Sequence, residues 1–265
     1  MVNLFSSSSL WMPWIVAIAL NSVLAAIAIA VPKKLLTPAG LLHAVGLGIL
    51  IWGTLGPSGY AVMMVYFLVG SAVTRIGMAE KEAAGIAEKR SGARGPENVW
   101  GSALVAALCA IGVLVVEGQI IPVEFGQTLK AALMLGYVAS LSTKLSDTCA
   151  SEVGKAYGKR TFLITTLQPV SAGTEGAVSL EGTLAGIVGS LAIALVGWGV
   201  GLIDGLGIGL CAIAAFVATN LESVIGATLQ DRFDWLTNEV VNIINTLIGA
   251  LVAIALYALA IAFGL

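Results

Sequence analysis

Charge is what this sequence has least of. Asp, Glu, Lys and Arg make up 11% of its 265 residues against 58% hydrophobic ones, and the mean hydropathy of +0.98 is far outside the range of a soluble domain. With a formal net charge of -2 and no basic stripe, nothing is available to neutralise a phosphate backbone, which excludes a nucleic-acid partner. Histidine occurs once, as His43 within an apolar stretch; it reads as a helix-contact residue, so histidine-based acid–base or metal chemistry is not expected. The three cysteines, Cys109, Cys149 and Cys211, are scattered, lie in or beside apolar segments and show no CxxC spacing. Neither a disulfide framework nor a zinc site is indicated, and they read as packing residues. The first apolar run, Leu10–Val31, has no basic region before it and is too long for a signal-peptide core, so it is expected to be a retained helix, and no transit peptide is visible.

What is abundant is long apolar sequence. Runs over Leu10–Val31, Ala39–Leu55, Gly59–Thr74, Val99–Val116, Gln127–Leu141, Gly182–Gly201, Ile203–Thr219 and Val240–Phe263 approach or match the ~20 residues a helix needs to cross ~30 Å of hydrocarbon. In lipid the backbone must satisfy its own hydrogen bonds, and the runs are continuous rather than alternating, so helices are expected and a barrel is not. The predicted fold is all-α: a polytopic transmembrane bundle of about eight spans forming one integral-membrane domain over 1–265. Thr37-Pro38 reads as an N-cap followed by proline at the first helical position, and Gly56-Pro57-Ser58-Gly59 as a tight turn between two spans.

Threading the chain through eight spans sorts its charges. Lys33, Lys34, Arg75, Lys81, Lys89, Arg90, Arg94, Lys144, Lys155, Lys159, Arg160 and Arg232 fall on one face, twelve of the thirteen basic residues; Lys130 falls on the other with Glu117, Glu124 and Asp204. The positive-inside rule makes the basic face cytoplasmic, places both termini on the non-cytoplasmic side, and puts the polar segments 75–98, 142–181 and 220–239 in the cytoplasm. Alternating signs in 75–98 suit a surface helix laced by ion pairs.

Three constellations have residues fit for chemistry. As a helix, Asp147–Lys159 stacks Asp147, Ser151 and Lys155 in one column with Thr148 and Glu152 beside it, while Ala150, Gly154 and Gly158 form a smooth stripe against which a ligand or another helix would lie. Carboxylates beside lysines suit Mg²⁺ and phosphate together. Gly182, Gly186 and Ser190 are expected to allow close helix packing. The stretch 168–183 supplies small and hydroxyl residues ahead of a helix N-terminus, where an anion or an ordinary Ser179 cap fits equally, and it lacks the Gly-Lys-Ser/Thr ending of a Walker A loop. Asn220, Glu222, Ser223 and Gln230 precede Asn238, Glu239, Asn242, Asn245 and Thr246, so one face of the last helix is amide-lined at 238, 242 and 245 as it enters the bilayer and must meet protein, water or ligand rather than lipid.

The ordered set Ala79-Glu80-Lys81-Glu82, Gly95-Pro96-Glu97-Asn98-Val99-Trp100-Gly101-Ser102, Lys144-Leu145-Ser146-Asp147-Thr148, Ser151-Glu152-Val153-Gly154, Glu181-Gly182-Thr183, Glu222-Ser223 with Gly226, Ala227 and Gln230, and Asn238 with Asn242, Asn245 and Thr246 resembles the membrane family that contains the phytyl-phosphate kinase of tocopherol synthesis. The Asp147, Ala150, Gly154, Gly158 spacing with Glu181-Gly182-Thr183 is also similar to the CTP-dependent dolichol and phytol kinases. The resemblance implies CTP as donor, Mg²⁺ as helper, and phosphoryl transfer to an isoprenoid monophosphate to give the diphosphate. Partners would be an isoprenoid phosphate lipid, a nucleoside triphosphate and membrane lipids, and the site would be a bacterial plasma membrane or a thylakoid- or chloroplast-type membrane.

On that footing Asp147, Glu152 and Lys155 are the expected catalytic residues, with Asp147, Glu152 and Glu222 as metal carboxylates. Arg94, Thr148, Ser151, Gly154, Lys159, Glu181, Asn220, Glu222, Asn238, Asn242 and Asn245 would bind substrate or nucleotide. A kinase of the free alcohol, a cytidylyltransferase and a small-molecule transporter are the alternatives. A transporter needs polar groups reaching the far side, where Asp204 and Lys130 stand nearly alone.

Overall fold

A computed structural model of the chain describes residues 7–32, 34–118 and 123–264, with no side chain described at 7–10, 89, 91, 123, 124 and 231. Lys33, the side chains of Lys89 and Glu124, and residues 1–6 and 265 at the termini, all used in the charge threading, lie outside the described residues. The described residues form eight α-helices: α1 Ser7–Ala30, α2 Pro38–Thr74, α3 Met78–Ala83, α4 Pro96–Glu117, α5 Val123–Tyr157, α6 Leu180–Gly199, α7 Gly205–Thr228 and α8 Asn238–Ala262. A two-residue antiparallel pair, β1 Phe162–Leu163 with β2 Ala177–Val178, ties the loop between α5 and α6. Six helices, α1, α2, α4, α6, α7 and α8, are long and apolar enough to cross a membrane, and the chain is a multi-pass membrane protein.

Two expected spans share α2, and Gly56 divides them. Its backbone is non-helical at φ 63° and ψ -158°, a region that glycine enters without steric cost. The two arms fold back on each other. Trp52 and Tyr60, on either side of the break, stack edge to face at 5.2 Å, and Gly40 and Gly70, near opposite ends of the helix, both abut Arg94. Helix starts follow the sequence signals: the Thr37 hydroxyl accepts from the Gly40 amide at 3.0 Å with Pro38 next in line, and Ser179 accepts from Gly182 at 3.1 Å.

Helix α5 is the axis of the bundle, packing against α2, α4, α6, α7 and α8. The expected span Gln127–Leu141 is its first half, and the helix continues to Tyr157. Every residue from Leu135 to Asp147 is buried, including Ser140, Ser142, Thr143, Lys144, Ser146 and Asp147. The start of the segment 142–181, expected to lie in the cytoplasm, is therefore enclosed by other helices. A polar helix is tolerated there because its neighbours are protein rather than lipid.

The small-residue stripe of α5 meets a helix. Gly182, Gly186 and Gly189 of α6 lie so close to Ala150, Ser146 and Leu145 that a Cβ at any of them would crowd an α5 carbonyl. Gly154 and Gly158 pack against Ser179 in the same seam. His43 accepts a hydrogen bond at Nδ1 from Trp100 at 3.0 Å, the helix contact expected of it, and Cys109, Cys149 and Cys211 are free and buried. Lys130 pairs with Glu117 at 2.5 Å, and Asp204 caps α7 by accepting from Gly207 at 2.8 Å.

Candidate active site

The segment 75–98 departs from the surface helix expected of it. It holds the six-residue α3 and a single 3₁₀ turn at Lys89–Gly92; Arg90 and Glu97 pair within it, while Lys81 and Arg94 reach other elements. Lys81 is 1% exposed; its ammonium donates to the Thr74 carbonyl at 2.9 Å and to the Glu152 carboxylate, itself 3% exposed. Arg90 donates to Glu97 and, at 2.9 Å, to Asn98. Arg94 is fixed on both sides. Its backbone bonds to Leu35 and Thr37 at 3.0 Å each, and its guanidinium donates to the Tyr66 hydroxyl at 2.9 Å while lying over the Tyr66 and Phe67 rings at 5.3 and 5.9 Å.

This segment forms one wall of a cleft of about 600 Å³. The opposite wall is α5, which presents Lys144, Asp147, Thr148, Ser151, Glu152 and Lys155; those intervals of three and four put all six on one helix face. Glu222 of α7, Asn238, Glu239 and Asn242 of α8, Ser102 of α4 and Glu175 of the α5–α6 loop complete the lining. The loop reaches the cleft because Gly176, at φ +74°, lies directly on Ser223 and Ala227 of α7. Within the cleft Lys144, 8% exposed, bonds to Asp147 at 2.6 Å and to the Asn242 amide oxygen at 2.7 Å. Lys155 stands 3.8 Å from Glu152.

The lining carries seven carboxylates, Glu88, Glu97, Asp147, Glu152, Glu175, Glu222 and Glu239, against four cations, Arg90, Arg94, Lys144 and Lys155. A polyphosphate brought into such a cleft needs an added cation to offset the excess of negative charge. Among the described residues no three His, Cys, Asp or Glu side chains converge as a metal cluster. Of the expected triad of Asp147, Glu152 and Glu222, all on the cleft lining, Glu152 is paired to Lys81 and Lys155 through its two oxygens. Asp147 gives one oxygen, Oδ2, to Lys144 and lines the cleft with Glu222; a pair of carboxylates suits Mg²⁺, which takes one or two and fills its shell with phosphate oxygens and water.

Nine of the expected site residues line this one cleft: Arg94, Asp147, Thr148, Ser151, Glu152, Lys155, Glu222, Asn238 and Asn242. Five do not. Gly154 serves the α5–α6 seam and borders a small adjoining cavity of about 110 Å³. Asn220 lines another of about 60 Å³ beside Asp147 and Glu222, its amide donating to the Phe216 carbonyl at 2.7 Å. Lys159 and Glu181 meet each other outside the cleft, backbone amide to carboxylate at 3.4 Å. Asn245 is fully buried, with both amide atoms lacking a hydrogen-bond partner among the described residues, on the α8 face whose neighbours Asn242 and Gly249 touch α5. Residues not assigned a site role from sequence include Lys144, Arg90, Glu97, Asn98, Glu175 and Glu239. For Lys144 the signal was present in its three-residue spacing from Asp147; for Glu175 it was not, since its place depends on the fit of Gly176 to α7.

The model of the integral membrane protein family DUF92 matches residues 21–250. The chain is 64% identical over 253 residues to the uncharacterized membrane protein sll0875 of Synechocystis sp., covering 95% of this chain and 94% of that one. It is 44% identical over 221 residues to Protein VTE6, chloroplastic, of Arabidopsis thaliana, covering 83% of this chain and 64% of that protein. It is 34% identical over 197 residues to the uncharacterized membrane protein MJ0933 of Methanocaldococcus jannaschii, 74% of this chain and 75% of that one. No solved structure matches. The chain belongs to the DUF92 family of integral membrane proteins, the family that its ordered motifs resemble and that it shares with VTE6.

Proposed function

We propose that this protein is a phosphotransferase of the phytyl-phosphate kinase type, moving the γ-phosphoryl group of CTP to an isoprenoid monophosphate at the cytoplasmic or stromal face. The observation that carries the reading is the convergence of Asp147, Lys144, Lys155, Arg94, Glu222 and Asn242 in one cleft, in a chain 44% identical to VTE6, taken with the motif resemblance to that kinase.

The chemistry asks for positioning and charge neutralisation. An oxygen of the acceptor phosphate forms the new P–O bond, the bond between the γ-phosphorus and the bridging oxygen breaks, and CDP leaves with the electron pair. The acceptor oxygen already carries charge, so no protein nucleophile or strong base is required. Lys155, half-buried on the cleft wall, neutralises phosphoryl oxygens. Lys144, fixed between Asp147 and Asn242, orients the Asp147 carboxylate. Asp147 and Glu222 would hold Mg²⁺, which when bound offsets charge on the donor phosphates.

The test is turnover by detergent-purified protein supplied with Mg²⁺, CTP or ATP, and either phytol or phytyl phosphate. Lipid diphosphate and CDP are expected from phytyl phosphate with CTP, and Asp147→Asn should lower the rate by ~10²-fold or more. Product from phytol alone would make the protein an alcohol kinase, and release of pyrophosphate a cytidylyltransferase. Absence of nucleotide turnover with every prenyl acceptor would refute the assignment.

A further inference from the structure

A second cavity of about 610 Å³ runs between α1 and both arms of α2. Its walls are almost wholly apolar, with Leu24, Ala28, Leu41, Val45, Met64 and Phe67 among them, while Lys34, Thr37 and Arg94 stand at one end. At the other end Tyr60 donates to the Asn21 side chain at 2.9 Å. Arg94 lines both this groove and the polar cleft. Along α1 the lining extends from Asn21 to Val31, roughly 15 Å at ~1.5 Å per residue, which is about the depth of one leaflet of a ~30 Å hydrocarbon layer.

We propose that this groove is the binding site for the prenyl chain of the acceptor, with the acceptor phosphate held at Arg94 where groove and cleft meet. The inference rests on the kinase reading and adds the path of the substrate to it. A lipid monophosphate is one long apolar chain ending in an anion, and the groove is one long apolar surface ending in a cation. Arg94 suits the junction because Tyr66 and Phe67 hold the face of its guanidinium and the Tyr66 hydroxyl fixes one N–H. Gly70 leaves room for it, since a Cβ there would lie 2.8 Å from Nη2. A phosphate on Arg94 faces the cleft that Asp147 and Lys155 line, while its chain stays among α1 and α2. An alcohol with no phosphate would lose the anchoring charge.

The test uses a C20 prenyl monophosphate with a diazirine at the chain end, photolysed on the purified protein in nanodiscs with Mg²⁺ and no nucleotide. Label is expected on peptides of α1 and of the two arms of α2, reduced at least fivefold by excess phytyl phosphate and not by equal phosphatidylglycerol. Label elsewhere, no label, or label that phosphatidylglycerol displaces equally would overturn the proposal, the last marking an ordinary bilayer-lipid groove. Ala44→Trp, which fills the groove, should raise KM for a C20 monophosphate at least tenfold more than for a C5 monophosphate; equal effects would count against the groove. Labelling needs no turnover, so misplaced label with intact kinase activity defeats the groove alone. Competed groove label with no nucleotide turnover defeats the kinase reading instead.

Discussion

Removing the Lys81 ammonium should destabilise the fold more than any change at an exposed charge. Lys81 and Glu152 are 1% and 3% exposed and in direct contact, and Lys81 also satisfies the Thr74 carbonyl. In Lys81→Met the Glu152 carboxylate stays buried with Lys155, at 3.8 Å, as the one remaining cation paired to it among the described residues. Breaking a buried pair from one side costs about 3–5 kcal/mol, because an uncompensated charge is left behind. At ~2–4 °C per kcal/mol for a chain of this size, Tm should fall by about 6–20 °C. Replacing both partners removes the orphaned charge, so Lys81→Met with Glu152→Leu should recover most of that loss. Thermal unfolding of the four proteins in one detergent, followed by intrinsic tryptophan fluorescence, closes the cycle. Activity adds a second reading: if Glu152 serves chiefly to hold α3 to α5, the double variant regains turnover together with stability. A double variant as unstable as Lys81→Met would refute the ion-pair account. One that is stable yet inactive would return Glu152 to the catalytic set.

The loop carrying Glu175 should be equally sensitive at one atom: Gly176→Ala sets a Cβ against Ser223 and Ala227 at a φ of +74°, and should cost about 1–3 kcal/mol while lowering kcat, as seen by thermal unfolding and CDP release. Tyr66→Phe removes one hydrogen bond from the Arg94 guanidinium, worth ~1.5 kcal/mol to a charged group, and should raise KM for the lipid phosphate roughly tenfold while KM for CTP changes less; equal rises would mean that Tyr66 acts on the whole cleft.

Spans and caps were legible because lipid imposes a simple demand on a helix surface. Among the described residues, the turn at Gly56 and the breaks after α1, α2 and α6 fall where the apolar runs end. The amide positions of α8 were legible for the same reason, and Asn238 and Asn242 do meet the cleft. The second half of α5 was not. Hydropathy reports how a segment would face lipid, and α5 is surrounded by five long helices, α2, α4, α6, α7 and α8, so Ser142, Thr143, Lys144 and Ser146 remain inside the bundle although their polarity reads as an exit from the membrane.

The same geometry explains which stripe on α5 is chemical. Two stripes were readable in 144–158, one of small residues and one of charged and hydroxyl residues, and spacing alone gives either a ligand to face. Packing decides between them: the small stripe is consumed by Gly182, Gly186 and Gly189 of α6, and close backbone contact leaves no volume for a nucleotide. The charged stripe faces Glu88, Arg90, Arg94, Glu97 and Asn98, and the space between is the cleft. An axial helix in a membrane bundle has no lipid-facing side on which to place polar residues, so a cleft at its end is where charge can be both enclosed and reached from water. Under the proposed function, phosphoryl chemistry would lie along α5 and the prenyl chain along the peripheral pair α1 and α2, with Arg94 lining both cavities.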